Sequence, residues 1–166
     1  MGDDYPRLLV DRDVAVIRDG QVEQTRLRGW LDGHDGPIPA YRIELVIRLG
    51  NYTCPYTATG PDAFEALVRL RRQLEPDGLM VAVQGARRDT YPSGMARDMG
   101  GGMQVYILRP GVPGRPDLVK TLDDAPPEQV RPDWAVGMAS VTAEPVTAAR
   151  EGQRPIPDSE SGSDLR

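Results

Sequence analysis

Three observations on the sequence predict an α+β fold: a twisted, mainly antiparallel sheet of about six strands with one main helix packed on one face. Several segments alternate apolar and polar residues, which is typical of half-buried strands. Residues typical of tight turns lie between the first of these segments and the next ones, as expected for neighbouring antiparallel strands. Residues 61–75 have helical periodicity instead. A single main helix cannot cover both faces of a sheet, so a doubly wound α/β fold is disfavoured.

The length and composition fit one folded domain with a tail. The chain has 166 residues, close to one domain of usual size. Its 18 glycines and 16 prolines indicate that a large share of the chain forms loops. Residues 143–166 contain no aromatic residue and only scattered apolar ones, too few to offset the entropy of ordering. We therefore expect a single domain over 1–142 and a disordered tail over 143–166.

The composition also narrows the function classes. The chain has no run of about 18 apolar residues and no apolar segment near its start, so we expect a cytoplasmic protein without a membrane span. One cysteine forbids an intrachain disulfide and one histidine forbids a His-rich metal site; we predict no metal and no cofactor. A net charge of −5 disfavours nucleic acid as a partner.

The first strands are predicted from their turns. Val14–Ile17 is apolar and β-favouring, and the segment Val22–Leu31 alternates. Between them lies Asp19-Gly20, a dipeptide favoured in two-residue hairpin turns. The segment therefore predicts a β-hairpin.

The next strand, Tyr41–Leu49, alternates over nine residues and follows a turn-rich stretch at 32–37. Centring that loop near Gly36 places Leu27 opposite Leu45, Arg28 opposite Glu44 and Trp30 opposite Arg42. Inward residues then pair with inward residues, so the register is self-consistent. This register predicts that Ile43 and Ile47 point into the core.

The remaining elements follow from proline positions and a change of period. Tyr52–Thr59 is predicted as an edge strand because Pro55 lacks a donor for a neighbouring strand. In the helix over 61–75, acidic residues come early and arginines late, which suits the helix dipole. Leu79–Gln84 and Met103–Leu108 complete the six predicted strands.

The segment 85–102 is the main candidate for function. Its 18 residues join two predicted strands, whereas hairpin loops usually take 2–5 residues. Ser93 can cap a short helical turn that places Met95 and Met99 on one side. Arginine, tyrosine and methionine are common at recognition surfaces. The predicted ligand- or partner-binding residues are Arg87, Arg88, Tyr91, Ser93, Met95, Arg97 and Met99.

This segment has two interpretations. In the functional one, its arginines and the free amides of the helical turn bind an acidic partner or an anionic ligand. In the structural one, the loop is simply ordered, and Arg88–Asp89 and Arg97–Asp98 neutralise each other. The glycine triplet Gly100–Gly102 does not predict a phosphate loop, because it leads into a strand rather than a helix.

A second candidate surface lies on the outward face of the predicted β-sheet. A stripe of arginines beside a tryptophan is ordinarily a solvated face. The same residue types are also frequent at the centres of protein interfaces. The secondary face consists of Arg26, Arg28, Trp30, Arg42 and Arg48.

The sequence favours a non-catalytic protein-recognition module, of the kind of a bacterial immunity or accessory protein, that binds another protein through 85–102. The alternative is a small enzyme or ligand-binding domain that holds an anionic substrate with the same Arg/Gly-rich segment. An enzyme is less expected, and no catalytic residue is predicted. Cys54 has no charged neighbour in sequence, His34 lies in a turn of Asp and Gly, and Ser93 is not in a nucleophile elbow.

Overall fold

The computed structural model describes residues 6–33, 40–114 and 116–130. These residues form two antiparallel sheets and one main helix, so the predicted α+β class is confirmed. The predicted tail over 143–166, the domain boundary at 142 and His34 lie outside the described residues.

The elements are β1 (Arg7–Arg18), β2 (Gln21–Asp32), β3 (Ala40–Leu49), β4 (Tyr52–Gly60), α1 (Ala63–Leu74), β5 (Leu79–Val81), β6 (Thr90–Tyr91), α2 (Gly94–Asp98), β7 (Gln104–Ile107) and β8 (Leu118–Lys120), with 3₁₀ turns at Glu75–Asp77, Gln84–Ala86 and Pro127–Gln129.

The main sheet has five strands in the order β4-β3-β2-β1-β5. Its central pairing has the predicted register: Leu27 lies opposite Leu45, Arg28 opposite Glu44 and Trp30 opposite Arg42. Ile43 and Ile47 are buried, as predicted. The alternation of the two strands determines this register, because a slip of one residue would turn the apolar face of β3 to solvent.

The turn between β1 and β2 has the conformation that its sequence predicts. Asp19 has a φ of 50° and Gly20 a φ of 77°. Positive φ at both central residues gives the turn a twist that matches the twist of the two strands. The predicted hairpin is therefore confirmed. Its first strand is longer than the predicted apolar segment Val14–Ile17, since β1 already begins at Arg7.

Helix α1 packs on the face of the sheet formed by β3 and β4. Its buried side chains recur every three or four residues and include Leu67, Leu70 and Leu74, none of which is exposed to solvent. Burial of each leucine is worth about 1.5–3 kcal/mol, which makes this face the main attachment of the helix. The helix ends in the 3₁₀ turn and at Gly78, which has a φ of 69°.

Strand β4 is an edge strand, as Pro55 predicts. Side chains of α1 cover part of this edge: Gln73 Nε2 donates to the carbonyl of Thr57 (3.0 Å) and Arg69 Nη1 to that of Thr59 (2.9 Å). Carbonyl groups at a sheet edge otherwise remain open to pairing with another chain. The helix thus protects the edge that it packs beside.

The sixth predicted strand forms in a second sheet, of order β6-β7-β8, rather than in the main one. Strand β5 has only three residues, and the turn at Gln84–Ala86 then leads the chain away from the main sheet. Strand β7 pairs instead with β8, where Val105 lies opposite Val119. Within the described parts of the chain, no helix is long and apolar enough to cross a membrane.

Candidate functional site

The segment 85–102 is a packed structure rather than an open loop. It contains the end of a 3₁₀ turn, the short strand β6 and the helix α2. Ser93 caps α2 as predicted, because its Oγ accepts a hydrogen bond from the backbone N–H of Ala96 (3.1 Å). A cap of this kind satisfies one of the free amides at the start of the helix. The local sequence therefore determines where α2 begins.

A buried carboxylate attaches α2 to α1. The side chain of Asp62 is only 7% exposed, and its two oxygens have different partners. Oδ1 accepts from the backbone N–H of Glu65 (2.8 Å), which caps α1. Oδ2 accepts from Arg97 Nε (2.9 Å), and Glu65 lies 3.6 Å from the same guanidinium. The hydrogen bond with Asp62 raises the pKa of Arg97, so this arginine is a charged structural partner of α1.

The glycine triplet packs against the first turn of α1. The carbonyl of Gly101 accepts from the backbone N–H of Ala63 (2.8 Å). Gly102 has a φ of 66°, and a Cβ there would lie 2.6 Å from Asp62 Oδ1 and 2.9 Å from the backbone nitrogen of Phe64. The triplet therefore permits a close approach of two backbones, and it helps to satisfy the free amides of α1 inside the protein.

Arg87 is also held inside the segment. Its side chain is 10% exposed. Nε and Nη2 donate to the two carboxylate oxygens of Asp89 (2.8 and 2.6 Å), and Nη1 donates to Gln84 (3.0 Å). Arg88 is exposed at the surface. Arg87 and Arg97, both predicted as binding residues, thus have structural partners. Arg97 pairs with Asp62 and Glu65 rather than with Asp98.

The Arg87–Asp89 pair predicts a loss of stability at low pH. The hydrogen bonds from Arg87 hold the pKa of Asp89 below its usual value of 3.8. A lowered pKa in the folded state means that the stabilisation is complete above pH 3.8 and is lost as the pH falls through the folded pKa. Asp89→Asn should therefore lower stability at pH 6 and flatten the acid limb of the stability profile. Urea titrations at pH 6 and pH 3 measure both effects; parallel profiles for the two proteins would contradict the assignment.

The three largest apolar side chains of the segment, Tyr91, Met95 and Met99, are exposed. Tyr91 is 55% exposed and lies edge-on against Phe64, with 6.0 Å between ring centroids. Met95, on α2, and Met99, the C-cap residue of α2, are 72% and 85% exposed and lie one helical turn apart. Residues four apart share a helix face, so the predicted neighbourhood of the two methionines is present.

An open depression of about 740 Å³ lies between α2 and the start of α1. Its lining includes one cation, Arg97, and two carboxylates, Asp62 and Asp98. Tyr41, Pro61 and Met99 also line it. Arg87 and Arg88 are not part of this lining, so the depression does not concentrate the positive charge that an anionic ligand would need.

Arginines of the secondary face are mostly paired across the strands. Arg26 contacts Asp11 (2.5 Å) and Asp13 (3.3 Å), and Arg28 lies 3.5 Å from Asp11 and 3.8 Å from Glu44. The hydrogen bond from Arg26 lowers the pKa of Asp11. The strand β1 therefore supplies the acidic residues that neutralise the arginines of β2.

Arg42, which lies beside Trp30 on the secondary face, is also paired with a carboxylate. Arg42 Nε and Nη2 donate to the two carboxylate oxygens of Asp32 (2.8 and 3.1 Å), and the guanidinium lies 4.1 Å from the ring centroid of Trp30. The hydrogen bond to Asp32 raises the pKa of Arg42. Arg48 is exposed and makes no ion pair within the described residues. This face offers less unpaired charge than its arginine count suggests.

The sequence-based prediction missed Asp62 as a site residue. The pattern Asp62-x-x-Glu65 before an apolar run is a recognised signal for a helix start, and it could have identified the cap. No local pattern could have identified Arg97 as the second partner of Asp62, because the two residues are 35 positions apart.

Among the residues that the structure describes, no group of three or more His, Cys, Asp or Glu side chains is arranged to hold a metal ion. The sequence matches no protein-family model, and no curated protein shows significant similarity to it.

Proposed function

We propose that this chain is a non-catalytic protein-recognition module that binds another protein through 85–102, with Tyr91, Met95 and Met99 as contact residues. One observation carries the proposal: α2, which is capped by Ser93 and bound to Asp62 through Arg97, exposes Met95 and its C-cap residue Met99 by 72% and 85%. Large apolar side chains grouped at a surface commonly mark an interaction site.

The contacts that hold α2 in place should keep the loss of conformational entropy on partner binding small. Ser93 caps the helix, Arg97 joins it to Asp62, and Gly102 donates its backbone N–H to the carbonyl of Ala96 (2.9 Å). A preorganised element loses little conformational freedom on binding. Methionine adds adaptability at the contact itself, because its flexible thioether can fit partners of different shape.

The alternative, a small enzyme or ligand-binding domain for an anionic substrate, has less support. Arg87 and Arg97 donate to carboxylates of the same chain, so their charge is already compensated. As a finer proposal, the module would be a cytoplasmic immunity or accessory protein of a bacterium. Its small size and acidic charge fit that class.

The double variant Met95→Ser, Met99→Ser tests the proposed contact. A photoreactive residue at position 91 would first identify the partner in the native host. We expect the double variant to weaken binding of that partner by about 100-fold, since hot-spot truncations cost on the order of 1–2 kcal/mol each. Both side chains are exposed, so the melting temperature should change little.

The matched control is Leu108→Ser, Val112→Ser in the β7–β8 connection, where the two side chains are 48% and 61% exposed. This control should leave partner affinity unchanged. Equal losses of affinity in both double variants, or no loss in the methionine variant, would refute the assignment of α2 as the contact.

A further inference from the structure

The depression beside α2 contains a carboxylate, Asp98, that has no partner among the residues that the structure describes. Asp98 is exposed and makes no hydrogen bond or ion pair within the described residues. Arg97, the cation of the depression, is bound by Asp62 (2.9 Å) and lies 3.6 Å from Glu65. The excess charge of the lining is therefore negative, and it is located at Asp98.

Apolar surfaces flank this carboxylate. Met99 is 85% exposed and lines the depression, as do Tyr41 and the exposed Pro61. Lysine and arginine side chains combine an apolar stem with a charged head, and they bury the stem along apolar surfaces while the head meets a carboxylate or water. A depression with apolar walls and one available carboxylate suits such a side chain.

We propose that the partner protein docks a basic segment here, with a lysine or arginine head at Asp98 and the stem against Met99. This proposal rests on the proposed protein-recognition function and adds the chemistry of the partner. It reverses the acidic partner expected from the arginines of the segment, because the lining of the depression holds two carboxylates, Asp62 and Asp98, against the guanidinium of Arg97. Complementary charge contributes mainly to specificity and to the rate of association.

The test uses two peptides of about twelve residues with the same leucine and glycine content, one carrying arginines and the other glutamates. NMR titrations follow the Met99 methyl and the Gly101 amide. We expect the basic peptide to shift both signals, with weaker binding at high salt, and the acidic peptide to shift neither. Absence of these shifts with the basic peptide, or equal shifts with the acidic one, would overturn the proposal.

Asp98→Lys and Glu128→Lys separate a local contact from a general charge effect, because both alter the net charge equally. Glu128 is exposed in the 3₁₀ turn Pro127–Gln129 and does not line the depression. We expect Asp98→Lys to weaken binding of the basic peptide by about fivefold or more, and Glu128→Lys to have a much smaller effect. Equal effects would overturn the proposal. A partner that needs Met95 and Met99 but tolerates Asp98→Lys would overturn this inference alone and leave the proposed function intact.

Discussion

Replacing Gly102 with alanine is expected to lower the free energy of unfolding by about 2–4 kcal/mol, a large share of the stability of a small domain. Its φ of 66° is a left-handed conformation that costs other residues roughly 1–2 kcal/mol. The added Cβ would also lie 2.6 Å from Asp62 Oδ1 and 2.9 Å from the backbone nitrogen of Phe64. These atoms belong to the capped start of α1, so they cannot move apart without disturbing the cap.

Gly50→Ala is the matched control, because Gly50 has a φ of 62° and open space around the position of a Cβ. It should show only the conformational cost, about 1–2 kcal/mol. Urea titrations of both variants give the difference, provided that their m-values agree. Equal losses would contradict a close contact between the glycine triplet and α1.

The main sheet could be predicted because its information is local. Alternation on β2 and β3 determines which side chains face inward, and the pairing of Leu27 with Leu45 then follows. The Asp19-Gly20 turn and Pro55 likewise act within a few residues of their own position. Patterns of this kind were sufficient for the first four strands and for α1.

The candidate site could be predicted only in part, because its contacts join distant segments. The composition of 85–102 suggested binding arginines, and the cap at Ser93 was visible in the sequence. The partner of Arg97 is Asp62, which lies 35 residues earlier, and the sequence contains no periodic signal that joins them. Charge pairing between segments depends on their packing, so an arginine count could not show how much positive charge stays available.

Asp62→Ala is expected to lower the free energy of unfolding by about 2–4 kcal/mol, because one substitution removes two interactions. The cap of α1 at Glu65 N is typically worth about 1 kcal/mol. The charge-assisted hydrogen bond from Arg97 is worth roughly 1.5–3 kcal/mol where it is well shielded, and the Asp62 side chain is only 7% exposed. Chemical denaturation measures the total.

Asp62→Ser separates the two interactions, since serine is a good N-cap residue but cannot pair with Arg97. We expect this variant to recover the contribution of the cap and to leave the loss of the ion pair. A double-mutant cycle with Arg97→Leu should show a coupling of about 1 kcal/mol or more between Asp62 and Arg97. Additive losses in that cycle would contradict a direct contact.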